Sequence, residues 1–115
     1  MSLLLNQLRE GEEITRDVYK KIKIEKPDAD EQEILFYTLK SRYYMDNALN
    51  DKDILKLVKE LPNIDSIINF ILLHDYYEQT LLFFPKFRLI KRAKKSLAEM
   101  SIKKIGILEY IQKME

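Results

Sequence analysis

Cysteine is absent, and with it every disulfide, zinc–thiolate site and thiol nucleophile. Nothing in the chain therefore calls for an oxidising compartment. Histidine occurs once, at position 74, so no pair of imidazoles is available to a metal. Glycine occurs twice and proline three times. An all-β domain needs many more turn residues than that, which leaves helices as the expected secondary structure. Uninterrupted apolar runs of membrane-spanning length are also missing. The nearest approach, Ile64 to Phe84, contains Asp65, His74, Asp75 and Glu78. Polar groups at its middle are costly in lipid, so it reads as a core helix and no membrane partner is expected. The apolar start, Met1 to Leu8, has no preceding positive charge and no small-residue cleavage site, and acidic residues follow at once. A secretory signal is not expected, and the expected location is cytoplasmic.

What remains suits an ordinary folded domain. Of 115 residues, 46% are hydrophobic. A chain of this size buries roughly 65–70% of its unfolded surface. One all-α domain over residues 1–115 is expected, with five or six helices in a bundle or an orthogonal array. Leu4, Leu8, Val18 and Ile22 recur on one face of a first helix, capped by Ser2. Gly11 interrupts it, giving either one helix to about Lys23 or two short ones, before Pro27. Asp28, three residues ahead of Glu31, has capping-box spacing and opens a helix running through Leu49. Leu35, Phe36, Leu39, Tyr43 and Ala48 share its apolar face. Asn50 or Asp51 starts a short helix that Pro62 and Asn63 stop. Asp65 is expected to cap the Ile64–Phe84 helix, with Phe70, Ile71, Leu73 and Leu81 buried. Pro85 opens a helix to about Met100, with Phe87, Ile90, Ala93 and Leu97 inward. Ser101 is expected to cap a last helix carrying Ile105, Leu108 and Ile111.

Candidate chemistry is sparse. A metal at His74 would find Glu78 one turn on, whereas Asp75 is expected to point elsewhere, and two ligands do not make a site. No serine has an evident base beside it. In the acidic cluster Glu10, Glu12, Glu13 and Asp17, the spacings Glu12–Arg16, Glu13–Arg16 and Asp17–Lys21 are those of ordinary surface pairs. No catalytic residue, metal or cofactor is therefore expected. Asp51 to Tyr77 can be drawn as helix-turn-helix, but its second helix has no arginine or lysine at its start, and a major-groove reader needs such donors. The dipeptides Tyr43-Tyr44 and Tyr76-Tyr77 should each set one ring in the core and one at its edge. The edge rings are candidate anchors for a base or a protein partner.

Charge is the uneven feature. Residues 86–104 carry eight basic groups against Glu99 alone, a net +7, while residues 1–85 carry −5 and residues 105–115 carry −1. On a helix, Arg88, Lys91, Arg92 and Lys95 fall on one face, flanked by Lys86 and Lys94. Such a stripe is an electrostatic footprint for a phosphate backbone. A non-enzymatic accessory or adaptor subunit is expected, part of a larger complex and touching DNA or RNA non-specifically. An acidic protein partner docking on the same six residues is the alternative.

Overall fold

The computed structural model describes residues 3–43 and 49–114. Among these the protein is all-α, with no strand. Its six helices are α1 (Leu3–Glu25), α2 (Glu31–Tyr43), α3 (Asp51–Glu60), α4 (Ile64–Thr80), α5 (Lys86–Lys103) and α6 (Ile107–Met114). The chain divides into two compact units, one comprising residues 13–68 and the other residues 1–12 with 69–115. Both boundaries fall inside helices, within α1 and within α4.

In the 13–68 unit, α2 and α3 pack on each other. Buried Ile34, Leu35, Leu39, Tyr43, Leu49, Ile54, Leu57 and Val58 supply the apolar surface. The start of α2 departs from expectation. Asp30, not Asp28, accepts from the Glu33 backbone N–H, at 2.8 Å. Asp30 stands immediately before the first helical residue, where a short carboxylate reaches the exposed N–H groups of the first turn. Of the two starts expected for α3, Asn50 is the cap, in a reciprocal box. Its side chain accepts from the Asp53 N–H at 2.8 Å, and Asp53 accepts from the Asn50 N–H. At α4 the cap is Asn63, which accepts from the Ser66 N–H at 2.9 Å. Asp65, expected there, instead lies in the first turn and pairs with Arg16 at 3.1 Å. The expected continuation of α2 through Leu49, including Ala48, lies partly outside the described residues.

In the other unit, α1 continues through Gly11 without a break. A Cβ at Gly11 would stand 3.3 Å from Leu72 Cδ2, so glycine permits a close approach between the two helices. Phe70, Ile71, Leu72 and Leu73 are fully buried. Leu81, expected with them, is half-buried, because α4 ends at Thr80 and residues 81–85 turn away. Ser101, expected to cap α6, lies in the last turn of α5, and the Gly106 carbonyl accepts the first α6 bond, from Tyr110 N–H at 3.0 Å. Ile107 and Ile111 are the buried positions of α6.

Two predictions follow from this packing. Phe70→Ala removes a fully buried ring and should destabilise the protein by about 3–5 kcal/mol in a denaturant titration. The second concerns the link between α1 and α2. The Tyr19 hydroxyl donates to Glu31 Oε1 at 2.6 Å. Burial, that hydrogen bond and the Glu31 charge push Tyr19 from 10.0 up to about 12. The folded state therefore holds this proton more tightly than the unfolded chain does. The stability gained is complete below pH 10, the ordinary value, and is lost as pH rises toward about 12. In an ultraviolet tyrosinate titration, Tyr19→Phe should delete a step near pH 12 and leave the ordinary steps in place.

Candidate nucleic-acid interface

The basic segment forms α5. Pro85 stands at its N-cap (φ −60°, ψ 144°), where a missing N–H removes no helical bond. The helix runs past Met100 to Lys103. Lys104 closes it in the left-handed region (φ 55°), donating its N–H to the Met100 and Ser101 carbonyls.

The buried face of α5 is Leu89, Ala93, Ser96 and Met100, spaced by four, three and four residues. Of the four residues expected inward, only Ala93 is fully buried. Ile90 and Leu97 are half-buried, and Phe87 is 64% exposed. The physical reason is polar. Ser96 and the Tyr77 hydroxyl hydrogen-bond in the buried contact between α4 and α5, with either able to donate. That bond turns the small side of α5, Ala93 and Ser96, toward α4.

All six basic candidates, Lys86, Arg88, Lys91, Arg92, Lys94 and Lys95, are exposed. At 100° per residue, Arg88, Lys91, Arg92 and Lys95 occupy a stripe about 100° wide, spanning about 10 Å along the axis. Among the described residues, no carboxylate pairs with any of these four. Glu99, the one acid in the segment, instead accepts from the Tyr110 hydroxyl at 3.0 Å. The Arg92 guanidinium lies over the Tyr77 ring, 5.4 Å from its centroid, a cation–π contact that holds one cation of the stripe in place.

The tyrosines divide otherwise than as a set of anchors. Tyr43 and Tyr77 are core residues at 2% and 4% exposure. Tyr76 is half-buried, edge-on to Tyr77 at 5.4 Å between centroids. Tyr44 lies outside the described residues. The exposed rings are phenylalanines expected in the interior, Phe83 within the Ile64–Phe84 core helix and Phe87 on the inward face of the next. Phe87 stands on the first turn of α5, and Phe83 stands in the turn before it. A signal for Phe83 is Pro85, which disfavours the helical conformation at Phe84 and so ends the preceding helix before it.

Two other features carry less. Asp75 does not point away from His74: single ligand atoms of His74, Asp75 and Glu78 all lie within 4.8 Å of one another. A tetrahedral zinc with donors about 2.1 Å away holds those donors about 3.4 Å apart, so this spread is wide for a site. Glu78 Oε2 lies 3.8 Å from His74 Nδ1 as a one-turn pair, and the imidazole stacks on Phe70 at 6.1 Å. In the 13–68 unit, a groove of about 400 Å³ between α2 and α3 is lined by Asp30, Glu33, Phe36, Tyr37, Leu55 and Lys59, a mixed set with no evident reacting pair. No helix among the described residues is long and apolar enough to cross a membrane. No protein-family model, curated protein or solved structure matches the chain.

Tyr77→Phe tests the contact that sets the rotation of α5. It removes the bond to Ser96, whose hydroxyl keeps Tyr110 as a second partner, and should cost about 0.5–1.5 kcal/mol in chemical denaturation with helix content retained.

Proposed function

We propose that the chain is a non-enzymatic accessory subunit that contacts a nucleic-acid backbone through α5, without reading sequence. One observation carries this reading: four exposed cations, Arg88, Lys91, Arg92 and Lys95, share a helix face and have no carboxylate partner among the described residues. Lys86 and Lys94 flank them. Phosphate oxygens are the ligands that such a row serves, and phosphate contacts position a protein without specifying bases. α5 contains no asparagine or glutamine to read adenine edges, which fits a sequence-independent role.

A single stripe of this charge supports only weak binding, in the range of about 10⁻⁴–10⁻⁶ M typical of non-specific contact. Useful residence on the polymer then comes from partner subunits bound beside it, so the natural setting is a larger cytoplasmic assembly. The same stripe would also dock on an acidic protein surface, and direct titration separates the two.

Binding of labelled DNA or RNA should weaken with salt. The log–log slope should be near three or four, since each neutralised phosphate contributes roughly 0.9 on duplex and 0.7 on single strands. Reversing both Lys91 and Arg92 to glutamate should abolish binding while helix content is kept, as both residues are exposed. No binding by the wild type at about 50 mM salt and tens of micromolar protein, where non-specific contacts are strong, would transfer the stripe to an acidic protein partner.

A further inference from the structure

We infer that Phe83 and Phe87 form a base-stacking platform beside the basic stripe, so that the polymer α5 binds is single-stranded. This inference rests on the nucleic-acid reading of α5 and narrows it to one substrate class.

The turn between α4 and α5 exposes apolar surface that the fold does not use. Phe83 is fully exposed, at 101% of its reference area, and Leu82 and Phe87 are exposed at 69% and 64%. Phe83 also holds φ at 72°, in the left-handed region where a bulky side chain is uncommon. A glycine or asparagine would occupy that position with less strain. The residue therefore carries a backbone cost and a solvation cost, and no burial within the described fold offsets either. Strain and exposure joined at one aromatic side chain point to a ligand.

The surroundings identify the ligand. On the surface of α5, Phe87 lies one turn before Lys91 and two turns before Lys94, at spacings of four and seven residues. Its ring therefore borders the stripe. The Arg88 guanidinium lies 5.8 Å from the Phe87 ring centroid. Aromatic rings and arginine planes set next to a cationic track are what unstacked bases use: the backbone follows the charges and the bases lie on the flat groups. A paired duplex keeps its base faces inside its own stack and has no use for the rings. A lipid surface asks for a broader apolar face. Here the exposed apolar residues of this edge are Leu82, Phe83 and Phe87, and the next on α5, Ile102, lies at the far end of the helix. Two rings match one or two bases.

The test compares labelled oligo(dT) and oligo(U), which do not pair with themselves, with a DNA duplex of the same length at low salt. The wild type should bind the single strands at least about five-fold more tightly, the smallest effect expected of one stacked base. Phe83→Ala and Phe87→Ala should each lower single-strand affinity by at least about five-fold. Duplex affinity and the salt slope should stay unchanged, because the cations are untouched. Phe83→Gly removes the ring and relieves the backbone together, so an equal loss in that variant excludes misfolding of the turn. The chain has no tryptophan. Phe87→Trp should therefore retain affinity and provide a single indole whose fluorescence is quenched by oligo(dT). Equal binding of single strand and duplex, unaltered in the alanine variants, overturns the platform and leaves the electrostatic reading of α5 in place. Binding to neither polymer overturns both. Sedimentation with anionic phospholipid vesicles that is lost in Phe83→Ala, without oligonucleotide binding, assigns the rings to a membrane surface and likewise overturns the platform.

Discussion

The structure depends on α4 having almost no polar face. From Ile67 to His74 every residue but Asn69 is buried. Its backbone groups bond within the helix, so its side chains need only apolar cover. That demand shapes its neighbours in the 69–115 unit. Gly11 lets α1 approach Leu72 closely. Leu89, Ala93, Ser96 and Met100 give α5 a narrow covering face. A narrow face suffices because Ala93 and Ser96 are small and Tyr77 reaches Ser96 with its hydroxyl. The rest of the α5 circumference is released from packing, and it is there that the cations stand.

Local helix energetics account for some of those cations. Lys103 and Lys104 sit at the C-terminal end of α5, where the macrodipole favours positive charge. Lys86 and Arg88 sit at the opposite end, in a first turn without an acidic residue, where the same dipole disfavours them by about 0.3–1 kcal/mol each. Nor are the four stripe cations offset by carboxylates among the described residues. Self-repulsion along the stripe is a small standing cost that a bound polyanion would reverse. An acidic protein would reverse it too, and exposed aromatic rings serve protein interfaces as well as bases.

Much of this was legible in the sequence, and the misses have a common cause. Helix number, the burial of Phe70, Ile71 and Leu73, the Asn50 cap and the charge asymmetry all follow from spacing and composition. The rotation of α5 did not. Periodicity weights residues by hydrophobicity, and Phe87, Ile90 and Leu97 outweigh a serine. The buried face was chosen instead by a hydrogen bond to a tyrosine nineteen residues away, which no local pattern records. The caps of α2 and α4 were displaced for a related reason. Asp28 and Asp30, or Asn63 and Asp65, are chemically competent alternatives two positions apart, and local pattern alone does not rank them. At His74, a difference of 100° between neighbouring residues suggests divergence, but the side chains span enough of the surface to converge.

The segment from Leu81 to Arg88 gathers several departures from local preference within eight residues. A phenylalanine takes the left-handed conformation, a proline caps a helix without a side-chain bond, and basic residues occupy a helix N-terminus that has no acid. α3, by contrast, has a reciprocal capping box, acids in its first turn and Lys59 in its last. Natural sequences are locally consistent except where function imposes a cost. Each of the three departures, taken alone, is a minor expense that an ordinary turn tolerates. Their concentration within eight residues, where exposed Phe87 stands beside the Arg88 guanidinium, gives this edge of the molecule a stronger claim to ligand contact than the net charge of α5 makes alone.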